Sequence, residues 1–570
     1  MNPQRETPMK RFSSLATVLV AVLVAGGCNL AVENPNAPDA NRAFQDPAGL
    51  AQLLGGSLRT WMDTRGSFFG SQVMDMQADN ETASWNNWGI RFYNSVGVDC
   101  VSRCGYTNSS TAAEAAGGLA TPRNWYGFYT VLSSANDVAK AIAGGLCFDD
   151  NCSVDDQLTS RNKAMAKMMQ GLALAGIALQ YDQGFIVDET TDLSNPSALP
   201  FSPRAEVRDA ALAKLEEAYT EAGTHTWQTD PIWMGVGAGQ AYTNTQIQQV
   251  IRSMEAELIA MFPRCDIACT GGPGGTSTPQ PGDKNSEADW AKVAQYASQG
   301  ITFNFEYYID VNSGQCGLDC TKSWGNSIGT TRTDTRVAAM VTTNHVTPWP
   351  APLGNPCPTV SDDKRVGDGT WGPADDFNGY GSFTATGNAG TDFACFSSAI
   401  FNPTRGSYHQ SNLGWIRYSY LAAVGEDLPG EDGSGQDPMF TTQMNDLLWA
   451  EGLIRSGGSL ALAAEKINNS RVGRGGLTPL AGTEGVDSLL KALQYEQEIE
   501  FMGQGPDPFF NRRRIDGLTF SSKTGLLDQT GTPRQMPVPA KEMDVLLRSV
   551  YSFGGADKRD MGSSVGGVRR

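Results

Sequence analysis

The chain has 570 residues, 40% of them hydrophobic and 18% charged, with a formal net charge of -18. That length leaves room for a large core, and that balance describes a globular chain, not a disordered one. The acidic excess argues against nucleic acid as a partner, because phosphate binding needs a basic surface. No stretch after residue 30 approaches the roughly 20 apolar residues that span a bilayer. With Gly 64 and Pro 29, long loops are expected between the regular parts.

Arg5, Lys10 and Arg11 form a basic start, followed by an apolar run from Leu15 to Ala25. Its length suits a secretory signal and is too short for a span. Ala25, Gly26 and Gly27 before Cys28 resemble the lipobox of a bacterial lipoprotein. That resemblance implies a signal peptide over 1–27, cleavage before Cys28 and acyl chains (palmitate or similar) on that residue. Such chains anchor at about 0.8 kcal/mol per buried methylene. The alternative is an ordinary signal peptide with an incidental cysteine. Met9 directly precedes the basic pair and is a second candidate start. Residues 28–45 are polar with two prolines and read as the anchor and an extended tether.

The chain holds 11 cysteines; without Cys28 an even number remains. They fall as Cys100/Cys104, Cys147/Cys152, Cys265/Cys269, Cys316/Cys320 and Cys357/Cys395. Export favours disulfides, and short spacings make local pairs the first expectation. Short bridges pin loops more than they hold a whole fold. Zinc is the competing reading, since CxxxC can place two thiolates on one ion; only three histidines and an oxidising compartment stand against it.

Helical signals begin near Asp46, with Pro47 in the first turn and Leu50, Leu53, Leu54, Leu58 and Trp61 at helical spacing. Residues 65–121 are rich in Gly, Asn, Ser and Thr and read as long loops. Helices follow at about 121–142 and 160–181, the second with a stripe of Met165, Met168, Leu172, Gly176 and Leu179. Further helices are expected at 204–222, 244–262 and 288–299. The pattern fits stacked antiparallel helix pairs, as in tetratricopeptide repeats. The fold class expected is mainly α: a tetratricopeptide-like helix-pair superhelix with long, loop-rich, disulfide-pinned insertions. Residues 302–435 are the largest insertion, holding Gly, Asn, Thr and aromatics with few helical runs. Helices resume at about 440–456, 458–470 and 484–502. The tail at 554–570 is Gly- and Ser-rich.

The C-terminal third carries an ordered set of segments: QMNDLLWAEGLIRS at 443–456, ALAAEKINNSRVGRGGLTPL at 461–480, LLKALQYEQEIEFMGQGPDPFFNRRRID at 489–516 and RQMPVPAKEMDVL at 534–546. This order resembles the SusD/RagB family of outer-membrane nutrient-binding lipoproteins. Residues 33–58, 124–142 and 163–187 look like that family's post-anchor segment and first helices, and DDKRVGDG at 362–369 is similar to a turn in its middle region. The resemblance covers most of 28–546. It implies an N-terminal helical-repeat region over 46–301, the middle insertion over 302–435 and a C-terminal helical region over 436–553. The sequence departs from the family at Gln497, where Arg is usual, and at Gln504, where Glu is usual. Asp507, Phe509, Phe510 and Arg512 replace its Asp–Arg–hydrophobic segment. The cysteine pairs are not a general family feature either. These departures bear on subfamily and ligand more than on fold.

Glu496 and Glu500 stand four apart on one helix face and repel unless something pairs them. Arg512, Arg513 and Arg514 follow a Gly503/Gly505 break and are placed to fold back and do so. This reading is structural, not catalytic. His225, His345 and His409 are far apart, without metal-spaced partners. No nucleophile elbow, P-loop or HExxH motif is present. Asp362/Asp363 and Asp375/Asp376 are adjacent carboxylates in Gly-rich stretches, which read as solvated turn formers and not as the separated pair of a glycosidase. Asp310-Val-Asn312-Ser-Gly314 resembles the start of a calcium loop, yet no Glu stands at the twelfth position, so at most a structural calcium is indicated. No cofactor and no catalytic residue is expected.

Aromatics in loops are the better clue. Trp85, Trp88 and Tyr93 lie beside Asn86, Asn87 and Asn94, and Trp324, Trp349, Trp371 and Tyr380 lie in the middle insertion. Flat apolar rings with hydrogen-bonding neighbours suit sugars; the alternative is that these rings pin loops to the scaffold. Trp61, Trp125 and Trp449 read as core. The family resemblance implies that the lipid-anchored chain binds an oligosaccharide or other nutrient and caps a TonB-dependent, SusC-like outer-membrane barrel as its lid. A free-standing binding or adhesive lipoprotein and a surface glycan hydrolase are the alternatives.

Overall fold

The computed structural model describes residues 44–82, 90, 93, 106, 108–111, 119–264, 288–310, 320–326, 331–341, 361–366, 390–395, 411, 413–421, 433–514 and 535–551. Two units divide the chain, Met1–Asp46 and Pro47–Arg570, and every described helix and strand belongs to the second. Its N-terminal helices are α1 (Pro47–Arg65), α2 (Ser71–Gln77), α3 (Ala120–Ala143), α4 (Gln157–Gln180), α5 (Arg204–Ala222), α6 (Asn244–Met261) and α7 (Trp290–Ser298). The middle region holds α8 (Cys320–Gly325) and α9 (Thr335–Val341), and the C-terminal part α10 (Thr442–Ser456), α11 (Leu460–Arg471), α12 (Val486–Glu500), α13 (Asp507–Arg514) and α14 (Ala540–Val545). Short antiparallel strand pairs link them: β1 (Glu81–Thr82) with β5 (Arg332–Thr333), β2 (Gln183–Gly184) with β3 (Ser202–Pro203), β4 (Phe305–Asp310) with β8 (Ser434–Phe440), and β6 (Phe393–Cys395) with β7 (Leu413–Trp415). The result is mainly α, with helix packed on successive helix from α1 through α3, α4, α5, α6 and α7 to α10, α11 and α12.

Composition explains the central position of α4. Small residues let neighbours approach: a Cβ on Gly171 would stand 2.6 Å from Leu215 Cγ, and one on Gly176 would press into the Phe128 ring. Met165, Met168, Leu172 and Leu179 are buried beside them. Helix starts are fixed by side chains. Thr243 and Gln246 close a capping box on α6, Thr441 caps α10 and Ser459 caps α11, each worth about 1 kcal/mol. The helices expected from periodicity are all present, within a few residues at each end. Two differences have clear causes. Within the stretch read as loops, Ser71–Gln77 is helical; all seven residues are buried, so no polar face marks the period. The β4–β8 pair also escapes periodicity, because β8 carries Gly435 and Pro438. Pro438 sits opposite Glu306, where the register shifts, the sort of edge position that tolerates proline.

Of the five expected cysteine pairs, one is formed among the described residues. Cys147 and Cys152 make a disulfide just ahead of α4, whose start is held by Asp149 accepting from Leu158 N and Thr159 N at 2.9 Å. The other four pairings are not bonds of the described structure. Cys100, Cys104, Cys265, Cys269, Cys316 and Cys357 lie outside the described residues, and Cys320 and Cys395 are described by their backbone alone. Residues 1–43, with Cys28, and the tail also lie outside. No described helix is long and apolar enough to cross a membrane.

Candidate functional site

The loop-borne aromatics have different surroundings. Tyr93 is 1% exposed and packs on Tyr106 with ring centroids 5.6 Å apart. Tyr106 in turn donates to Gln77 Oε1 at 2.6 Å. Trp324, on α8, is half-buried and leans on Phe68 at 6.0 Å. Both rings thus help attach their segments to the scaffold. Trp85, Trp88, Trp349, Trp371 and Tyr380 lie outside the described residues. Trp61 and Trp125 are core. Trp449 is only half-buried, with Lys466 Nζ 4.3 Å over its ring, so it belongs to the helix surface more than to the core.

The residues flanking the aromatic-bearing segments are tied to each other. Ser361 Oγ donates to Val341 O at 2.7 Å, on either side of 342–360 with Trp349. Asp392 N donates to Arg365 O at 3.0 Å, on either side of 367–389 with Trp371 and Tyr380. Thr331 Oγ1 donates to Trp324 O at 2.9 Å. Asp310 and Ser434 are register partners, so β4 and β8 close the whole middle region at its two ends. The scaffold therefore offers a set of closed necks on which binding loops can be presented.

Beneath these necks lies a buried ionic core that periodicity does not reveal. Arg365 is 0% exposed. Its Nη2 meets Asp363 at 2.7 Å, and its Nη1 meets Glu496 at 2.7 Å and Glu500 at 3.2 Å. Tyr495 closes the ring by donating to Asp363 at 2.7 Å. Glu500 also takes Arg417 at 2.8 Å and Arg474 at 2.5 Å. Burial alone would raise the Glu500 carboxyl, but Arg417, Arg474 and Arg365 hold it well below the usual range. Glu496, with fewer cations, is raised by burial.

This corrects two expectations. The arginine triplet does not pair Glu496 and Glu500. Arg514 holds Glu451 at 2.6 and 2.7 Å, Arg512 lies near Glu498 and Asp79 at 3.6 and 3.8 Å, and Arg513 lies over Phe510 at 4.6 Å. The 496/500 face of α12 instead meets arginines brought in by the middle region and by the turn after α11. Nor are Asp362 and Asp363 two solvated turn formers: Asp362 is exposed, but Asp363 is 1% exposed and committed to Arg365. The departures from the family pattern have local partners. Gln497 donates to Glu451 at 2.8 Å and Gln504 to Tyr418 at 3.1 Å. Burial opposes ionisation of Glu451, yet Arg514 and Arg455 bring its carboxyl down to about 2. The partners in this core stand far apart in sequence, so only the acidic–basic cluster at 362–365 signals them there.

Other candidates are ordinary. His225 faces Asp156 at 2.7 Å on the surface; His345, His409 and Asp375/Asp376 lie outside the described residues. Asp310 ends β4 and is exposed, with 311–319 beyond the described residues. Among the described residues, Cys147, Asp149 and Cys152 are the one cluster spaced for a metal, and both sulfurs are joined in the disulfide.

No family model and no curated protein matches this sequence. Solved structures do match it. A SusD superfamily protein from Bacteroides vulgatus aligns over 88% of this chain and 97% of its own, with TM-score 0.54 and 14% identity. A SusD superfamily protein from Parabacteroides distasonis aligns over 87% and 97%, with TM-score 0.52 and 11% identity. Surface glycan-binding protein A from Bacteroides uniformis aligns over 89% and 99%, with TM-score 0.50 and 13% identity. The helix order, the closed middle region and these alignments together establish that the chain has the SusD fold.

Proposed function

We propose that this chain is a SusD/RagB-like outer-membrane lipoprotein that binds a nutrient glycan and acts as the lid subunit of a TonB-dependent, SusC-like importer. The observation that carries this reading is the near end-to-end alignment with surface glycan-binding protein A, 89% of this chain and 99% of that one. The lipobox-like Ala25-Gly26-Gly27-Cys28 supports attachment through Cys28, facing the exterior. The Trp- and Asn-bearing segments on closed necks support sugar binding, since rings cover the apolar faces of a sugar while amides meet its hydroxyls. In this reading no bond is broken; the work is binding and delivery. A mild-detergent pull-down of the tagged chain from native membranes, with mass spectrometry of partners, tests it. A stoichiometric TonB-dependent barrel is the expected result. A folded, lipidated preparation without a barrel favours a free-standing binding or adhesive lipoprotein, and glycan turnover by pure protein favours a hydrolase.

A further inference from the structure

Two carboxyl groups are buried together where β1 joins the scaffold. Asp75 on α2 and Glu81 on β1 are both 0% exposed. Asn80 Nδ2 donates to Asp75 Oδ1 at 3.2 Å, and the Glu81 carboxyl hydrogen-bonds to Asp75. Neither Glu81 oxygen meets any other donor among the described residues. The backbone of α8 boxes it in: a Cβ on Gly325 would stand 2.5 Å from Glu81 Oε1.

Nearby charges are committed elsewhere. Arg336 on α9 pairs with Glu498 at 2.9 Å and donates to Asn80 and to Asp79 O. On α8, Lys322 pairs with Asp437 at 2.6 Å. On α13, Arg512 lies between Asp79 and Glu498, Arg513 lies over Phe510, Arg514 holds Glu451 and Asp507 holds Arg65. Arg332 and Asp334, around β5, have partners of their own.

Two carboxylates in contact cannot both ionise without a large like-charge and desolvation cost. Arg336 favours charge on Asp75, so the proton resides on Glu81, which donates it. We propose that Asp75 and Glu81 form a proton-holding latch, in which one shared proton keeps β1 paired with β5 and its loss at alkaline pH opens that pairing. Burial raises both groups, Glu81 well above its ordinary value and Asp75 to about 7, which agrees with the geometry. The proton leaves to solvent as the pairing opens, and no other reactant is involved.

Hydrogen exchange of the full chain between pH 6 and pH 9 tests the latch. Peptides covering 71–82 and 331–341 are compared with the 486–500 peptide in the same sample, which cancels the chemical pH dependence of exchange. The expected result is a rising ratio, up to about tenfold per pH unit above the release point. A ratio independent of pH overturns the proposal, and that comparison needs no variant. Glu81→Gln, which keeps the hydrogen bond without a titrating proton, assigns the effect: its ratio is expected to stay flat. A Glu81→Gln ratio that still rises with pH excludes this pair as the cause; if that variant does not fold, Asp75→Asn serves with the same two readings.

Discussion

Arg365 is a short-range answer to a long-range problem. Its guanidinium neutralises carboxylates from its own turn and from α12, all removed from water. Truncating it leaves Asp363, Glu496 and Glu500 with too little positive charge. Arg365→Met is therefore expected to cost about 3–5 kcal/mol, read as a lowered melting temperature, whereas Arg512→Met, whose ion-pair distances are longer, should cost less. Glu451 gives a pH signature. Its folded value of about 2 lies below the ordinary 4.5, so its stabilisation is present above about pH 4.5 and lost as pH falls toward 2. The size is about 3 kcal/mol. Acid titration of unfolding should show this limb in the wild type and lose it in Glu451→Gln. At the other end of the chain, Cys28→Ala should move the protein from the membrane to the soluble fraction; retention in the membrane would end the lipid-anchor reading.

Helices are legible in sequence wherever one face stays wet. The stripe of α4 and the caps of α10 and α11 follow from spacing and from Thr441 and Ser459 alone. Helix α2 is not legible because burial on every side erases the stripe, and β8 is not because Gly435 and Pro438 disguise a strand. Close helix packing makes its own prediction. Gly176→Val would drive a branched side chain into the Phe128 ring, costing about 1–3 kcal/mol; a denaturation midpoint equal to the wild type would show that α3 and α4 can part. The Cys147–Cys152 bridge encloses a short loop, so the Cys147→Ser/Cys152→Ser double variant should lose about 2 kcal/mol without unfolding α4, as circular dichroism would report.

At the scale of the molecule, the order of elements carries the family resemblance where no single motif does. The fold is therefore visible in sequence, while the site is visible only as a region. Trp85, Trp88, Trp349, Trp371 and Tyr380 stand out by composition, and composition does not distinguish a ring that meets sugar from one that pins a loop, as Tyr93 shows. Calorimetry with a glycan panel separates the two. Once a ligand is found, Trp371→Ala should weaken it about tenfold, equivalent to about 1.4 kcal/mol, with the melting temperature unchanged; a lowered melting temperature at equal affinity would make the ring structural. The ionic core at Arg365 is hidden from sequence because its partners come from opposite ends of a long insertion.

The hydrogen-bonded necks also bear on how such a protein can change over generations. Asp310 faces Ser434 across a strand pair, and Ser361 reaches back to Val341. What lies beyond a closed neck can grow or shrink cheaply, since each doubling of loop length costs only about 0.6 kcal/mol in closure entropy. A lineage can thus trade one recognition cassette for another, or graft in a longer one, while the helices and the Arg365 anchor remain untouched. Diversity of cargo would then accumulate between the necks, and constancy of shape below them.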